Sequence, residues 1–153
     1  MLVHGASGGV GHLAVQLARW RGAYVIGTAS ATDAELGLDE VVDHPSVRFE
    51  DVVHEVDLVF DTAGGERLER SPAVLRPGGR LVSVAAEPPS QPGLTSTYFV
   101  VEPDRGQLGE LAKLADGGQL RPQIDEIFPL ADARRAFERL AGRPRGKIVL
   151  RVL

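Results

Sequence analysis

The octapeptide His4-Gly5-Ala6-Ser7-Gly8-Gly9-Val10-Gly11 constrains this chain more than any other segment. A short apolar run, Leu2–His4, precedes it. After it, from about Gly9 to Arg21, Val10, Leu13, Ala14, Leu17 and Ala18 recur at three- and four-residue intervals, the stripe of an amphipathic helix that Gly22 stops. Strand, glycine loop and helix in that order, with Ala6-x-Gly8-x-x-Gly11 inside the loop, form the dinucleotide-binding fingerprint with alanine at its first position. Each small residue has a task. The first makes the tight turn, Gly8 lets the backbone approach a pyrophosphate, and Gly11 lets the helix pack closely on the strand. Free N–H groups and the helix dipole then favour anions. The bare alternative is a tight strand-to-helix turn with no ligand. His4 and His12 read as residues packed beside the loop.

The context around the loop decides between these. Strands are expected at Leu2–His4, Tyr24–Thr28, Glu40–Asp43, Asp57–Asp61, Arg80–Ala85, Thr97–Val101 and Lys147–Val152. Two further helices are expected. One runs from Asp104 to Asp116, with Leu108, Leu111, Ala112 and Ala115 on one face. The other runs from Ala131 to Ala141, with Ala133, Ala136, Phe137 and Leu140 inward. Pro72 interrupts what would be a helix from Glu66 to Leu75, and Glu87–Gly93, with three prolines, reads as a loop. Alternation of β-branched runs with helical stretches predicts an α/β fold, a Rossmann doubly wound parallel sheet covered on both faces. One domain spans residues 1–153. Met1 stands one residue before the first strand, which reads as a chain cut from a longer one.

Composition removes several classes of function. With 17 basic and 21 acidic residues and a net charge of −4, the chain builds no field for a nucleic acid or an anionic membrane. No apolar run approaches the roughly 20 residues of a bilayer span, and the expected address is the cytoplasm. There is no cysteine, so disulfides, thiolate nucleophiles and cysteine zinc sites are excluded. No zinc is expected.

The end of the second strand chooses the cofactor. Enzymes specific for NAD(H) place Asp or Glu there for the ribose hydroxyls. Here Gly27-Thr28-Ala29-Ser30 leaves space and a hydroxyl donor for a 2′-phosphate, which favours NADP(H) over NAD(H). Two features stand against that choice: no arginine or lysine follows, and Asp33 lies close by. Ser30 and Asp33 also read as turn or helix-cap residues.

The loop, together with Ala14-Val15-Gln16-Leu17-Ala18-Arg19, Gly22–Ser30, Asp57–Gly65, Leu75–Val84 and Gly146–Leu150, resembles the medium-chain dehydrogenase/reductase superfamily, and within it the zinc-independent, zeta-crystallin-like quinone oxidoreductases. The resemblance covers essentially the whole chain. It implies the cofactor half of a two-domain enzyme whose N-terminal, GroES-like substrate domain is absent here. By the same resemblance Ala6, Gly8, Gly9, Val10 and Gly11 form the pyrophosphate loop. Thr28 and Ser30 face the adenosine ribose or its phosphate, and Thr62, Ala63 and Gly64 the far ribose. Val84, Ala85, Ala86, Phe99, Val100 and Val101 give backbone contacts around the nicotinamide. Each of these strand-end residues has a second reading as core or turn.

Two departures bear on the cofactor. The chain between Ser30 and Glu40 is about one helical turn shorter than the family pattern, at the place where a phosphate-binding lysine often sits. His44 stands where the family commonly has a tyrosine near the adenine ribose, and reads either as a partner for a 2′-phosphate or as an exposed loop histidine.

The expected activity is reduction of a quinone, enone or similar activated alkene by hydride transfer, with a small-molecule substrate held by the parent enzyme and little turnover by this chain alone. The alternative is a non-catalytic dinucleotide-binding or interaction module. A short-chain reductase needs a Tyr-x-x-x-Lys pair, which neither Tyr24 nor Tyr98 supplies; a phosphate-loop nucleotidase needs Gly-Lys-Ser/Thr after the glycines. A methyltransferase would explain only Leu75–Leu81. No general acid or base is assigned, and Tyr98 reads as packing. Residues 122–153 tend, in two-domain relatives, to return toward the substrate domain. Lys147–Val152 is therefore expected to lack a neighbour, and a homodimer or an exchanged C-terminal arm is the expected remedy.

Overall fold

The computed structural model describes residues 1–30, 37–44, 46–142 and 144–152, so the expectation placed on Asp33 falls outside it. Six strands, β1 (Leu2–His4), β2 (Ile26–Ala29), β3 (Glu40–Asp43), β4 (Val56–Asp61), β5 (Leu75–Ser83) and β6 (Thr95–Tyr98), pair in parallel in the order β3-β2-β1-β4-β5-β6. This is the doubly wound Rossmann sheet that the sequence predicts. The chain winds outward in one direction from β1 and then in the other from β4, so the crevice above their carboxyl ends is the switch point where such sheets bind ligands.

Period-two alternation divides β1 between two cores. Leu2 packs with Phe49, Val59, Leu68, Val74 and Leu81 on one face, and Val3 with Ala6, Val15, Val25 and Ala29 on the other. Helix α1 (Gly11–Trp20) covers the second face. Its buried residues are Gly11, His12 and Val15, whereas Val10 is 48% exposed, so the expected stripe is rotated. The cause is Gly11, where an added Cβ would overlap the Gly5 carbonyl oxygen. That contact draws the first turn of the helix onto the loop and sets which face looks down.

Several expected boundaries move for local reasons. Strand β5 begins at Leu75 rather than Arg80, because Leu75 pairs with Val56 across an irregularity in β4. It ends at Ser83 rather than Ala85, because the N–H groups of Ala85 and Ala86 turn back to the Ser83 hydroxyl. Strand β6 stops at Tyr98; Phe99 N–H still donates to Ser83 O (2.8 Å), but Val100 and Val101 leave the sheet and are exposed. Pro72 acts as expected, ending α2 (Glu66–Arg70) in a 3₁₀ turn, Ser71–Val74. Helix α3 (Arg105–Asp116) is capped by Asp104, whose side chain accepts from Gln107 N–H at 2.8 Å. None of its residues is buried, so its expected apolar face is an exposed one.

The C-terminal segment brings the largest correction. Strand β8 (Lys147–Arg151) does not lack a neighbour, because it pairs in parallel with β7 (Ile124–Pro129), a strand the sequence does not announce. Helix α4 (Ala133–Ala141) crosses between them. Of its expected inward residues only Ala136 is buried; Phe137 and Leu140 are 71% and 55% exposed. A sheet two strands wide is too narrow to cover the whole apolar side of a helix, and here that side faces the crevice. The unit is tied back to α1 by Gln16, whose amide donates to Arg121 O (2.9 Å) and accepts from Arg121 N–H (2.8 Å), and by Gln123 N–H, which donates to His12 Nε2 (3.1 Å).

Candidate cofactor site

A cleft of about 890 Å³ lies over the carboxyl ends of β1, β2 and β4 and is walled on its far side by α4 and the start of β8. Of the residues expected at the site, Gly8, Gly9, Thr28, His44, Ala63 and Gly64 line it. In the loop, Gly8 N–H closes a turn onto Gly5 O (3.0 Å). Among the described residues, the N–H groups of Ser7, Gly9 and Val10 donate to no protein acceptor. Backbone donors are rarely left without partners. Three of them together at the start of a ten-residue helix make a cradle for an anion. A Cβ on Gly8 would stand 3.2 Å from Gly5 O, so a side chain there would be tight against the loop. These residues fit the pyrophosphate of a dinucleotide.

Behind the loop, a directed chain of hydrogen bonds fixes Thr28. Ser71 Oγ donates to Arg67 O (2.7 Å), and with its only proton spent there it accepts from His4 Nε2 (3.1 Å). His4 Nδ1 is then the acceptor for Thr28 Oγ1 (3.1 Å), which itself accepts from Gly5 N–H (3.3 Å). The ring is fully buried, with Phe49 edge-on at 4.6 Å between ring centroids. Burial, the dominant influence, pushes the His4 pKa down to about 4; Asp61 acts in the opposite direction, and Arg67 and Arg70 add to the lowering. His4 is neutral at physiological pH and holds Thr28, the residue that the family resemblance implies for the adenosine ribose or its phosphate.

The sequence reading did not single out Asp61, which ties two loops of the site together. Its carboxyl group is fully buried and accepts from Ser83 Oγ (2.8 Å), Ala63 N–H (3.3 Å) and Gly64 N–H (3.0 Å). Ser83 Oγ accepts in turn from Ala85 N–H (3.1 Å) and Ala86 N–H (3.2 Å). The turn after β4 and the turn after β5 therefore share one anchor. Its signal was an acidic residue ending one buried strand beside a serine ending the next.

The cations of the cleft were also missed. Arg67 and Arg70 project from α2 and Lys147 from β8, and all three line it with His44. Arg67 Nη2 lies 3.2 Å from His44 Nδ1, while Arg70 is paired with Glu50 at 3.1 Å. Spacing by three after Gly64-Gly65 was the available clue for the arginines.

The other expected residues lie outside the cleft lining. Ala6 is buried in the core beneath the loop, and Gly11 packs against Gly5. Thr62 Oγ1 donates to His4 O (2.8 Å), and Ser30 follows β2 at the surface. Val10 is at the exposed side of the loop. Val84, Ala85 and Ala86 follow β5, and Phe99, Val100 and Val101 lie beyond β6, all on the carboxyl side of the sheet. Among the described residues no group of three or more His, Asp or Glu side chains is placed to hold a metal ion, and no helix is long and apolar enough to cross a membrane.

Residues 36–150 match the zinc-binding dehydrogenase family. The chain belongs to this family of medium-chain reductases. It is 32% identical to 2-haloacrylate reductase from a Burkholderia species, over 98% of this chain and 54% of that protein. It is 28% identical to a mitochondrial NAD(P)H oxidoreductase of Danio rerio, over 100% of this chain and 49% of that one. The quinone oxidoreductase of Coxiella burnetii superposes with a TM-score of 0.90 at 32% identity, over 99% of this chain and 52% of that structure. The chain thus spans about half the length of the relatives it matches.

Proposed function

We propose that this chain is the dinucleotide-binding part of an oxidoreductase that reduces a quinone, an enone or a similar activated alkene, with NADP(H) as the preferred cofactor. The observation that carries the reading is the glycine loop at the switch point, with three backbone N–H groups that find no acceptor among the described residues. Bound NADPH would supply the hydride. The chain's own part is to seat the pyrophosphate on Ser7, Gly9 and Val10, the adenosine ribose by Thr28, and the far ribose by Ala63 and Gly64. The substrate class rests on the relatives: one is a haloacrylate reductase and another a quinone oxidoreductase. Preference for the 2′-phosphate is supported by Arg67 and His44, which stand in the cleft that Thr28 lines and replace the missing lysine after β2. No zinc takes part in the proposed reaction.

Binding without turnover is the behaviour proposed for the chain alone, because Ala85, Ala86 and Phe99 are exposed and would leave the nicotinamide open to water. Calorimetric titration with NADPH and then NADH tests the site. The expected outcome is saturable binding, tighter for NADPH, that is lost in a folded Gly8→Val variant. A folded wild-type chain that binds neither nucleotide would remove the proposal.

A further inference from the structure

One buried side chain touches both the glycine loop and the C-terminal unit. His12, in the first turn of α1, is 1% exposed; its Nδ1 lies 2.8 Å from Gly8 O and its Nε2 3.1 Å from the backbone nitrogen of Gln123. A carbonyl oxygen can only accept a hydrogen bond, and a backbone N–H can only donate one. The partners therefore fix the ring: Nδ1 carries the proton and donates to Gly8, and bare Nε2 accepts from Gln123. The other neutral tautomer would set hydrogen against hydrogen at Gln123 and lone pair against lone pair at Gly8.

The bond to Gly8 acts on the part of the loop that faces the cleft. In a planar trans peptide the C=O and N–H point in opposite directions, so whatever holds the Gly8 carbonyl also aims the Gly9 N–H. That N–H is one of the three cradle donors. With a glycine on each side, this peptide has little steric resistance to turning over, and α1 has no side-chain cap at its N-terminus to hold it. The backbone N–H of His12 also reaches Gly8 O, at 3.2 Å, and the ring supplies the shorter of the two bonds.

The second ring nitrogen belongs to the other body. Gln123 leads into β7, and its carbonyl accepts from Lys147 N–H (2.9 Å), while the neighbouring Gly146 N–H donates to Ser7 O (2.8 Å). The amide that fixes the tautomer of His12 thus sits on the edge where the β7–α4–β8 unit meets the loop. We propose that His12 is a positioning residue for cofactor binding: docking of the C-terminal unit on α1 selects its Nδ1-protonated form, and that form turns the Gly8–Gly9 peptide toward the incoming anion. The inference rests on the cofactor reading above and adds to it a reason for the loop to be ready when the C-terminal unit is in place.

The test is titration of the full chain and of His12→Asn and His12→Gln with ADP-ribose and adenosine 2′-monophosphate, with the melting temperature of each and nitrogen NMR of the imidazole in the wild type. ADP-ribose contains the pyrophosphate and adenosine 2′-monophosphate does not. Asparagine places its amide nitrogen near the Nδ1 position and keeps the donor to Gly8; glutamine reaches the Nε2 position and keeps the acceptor for Gln123. Each gives up one of the two bonds, so a merely structural histidine predicts equal effects. The expected result is a loss of about tenfold in ADP-ribose affinity for His12→Gln, with most of the affinity restored in His12→Asn. Adenosine 2′-monophosphate should bind alike throughout, and the NMR signals should show a protonated Nδ1 and a bare Nε2. A proton on Nε2 would overturn the proposal without recourse to a variant. Equal losses in the two variants, or unchanged ADP-ribose affinity in His12→Gln, would overturn it and leave the cofactor site standing. A folded wild-type chain that binds no ADP-ribose would remove the cofactor site, and this role of His12 with it.

Discussion

At the scale of single residues, His4 links the stability of the protein to the shape of its site. Its pKa of about 4 lies well below the roughly 6.5 of an unfolded histidine, so the unfolded chain takes up a proton first as the pH falls. The sign follows. Above about pH 6.5 both states are neutral and His4 contributes no slope, and between 6.5 and 4 stability declines because only the unfolded state binds the proton. From pH 7.5 to pH 5 the loss should be about 2 kcal/mol. Urea unfolding at the two pH values measures it, and the increment should disappear in His4→Gln. An unchanged slope in that variant would assign the acid sensitivity to other groups. In the folded protein the ring stays neutral down to about pH 4, so Nδ1 still accepts from Thr28 and His4 should not weaken dinucleotide binding within that window.

At the scale of elements, one buried acid joins the ends of β4 and β5. Replacing Asp61 by alanine leaves the buried Ser83 hydroxyl without its acceptor and frees the N–H groups of Ala63 and Gly64 in the turn after β4. The expected cost is about 2–4 kcal/mol, measured as a shift of the urea midpoint at unchanged slope. A cost below about 0.5 kcal/mol would mean that the turns hold themselves. The same elements show what a sequence can and cannot disclose. The loop was legible because Gly11 sits where a Cβ would strike the Gly5 carbonyl, a demand only glycine meets. The first strand of the six-stranded sheet was legible because β1, buried on both faces, opens with the apolar pair Leu2-Val3 directly before the glycine loop. Strand β7 was not, because only Phe128 of its six residues is buried and Asp125 and Glu126 interrupt any alternation. Arg67, Arg70 and Lys147 escaped for a different reason. A lysine or arginine looks the same in sequence whether water or a cleft surrounds it, and it took the pairing of β8 with β7 to place Lys147 over the glycines.

At the scale of the whole molecule, two bodies of unequal size share one cleft. The six-stranded sheet has a core on each face, whereas the β7–α4–β8 unit buries little beyond Phe128 and Ala136 and meets the sheet's loops and α1 through a few hydrogen bonds. Local opening is cheapest where few apolar contacts must break, so this unit should exchange its amide hydrogens well before β1 and β4 do. A ligand seated in the cleft between the glycine loop and α4, as proposed for the dinucleotide, would bind the closed arrangement and stabilise it by mass action. Native-state hydrogen exchange with and without saturating NADPH measures this. Protection of Gly146 and of the β8 amides should rise more than that of β3, which lies at the far edge of the sheet. A rise spread evenly over both bodies would mean that they open only together, and no rise at Gly146 would mean that the C-terminal unit takes no part in holding the ligand.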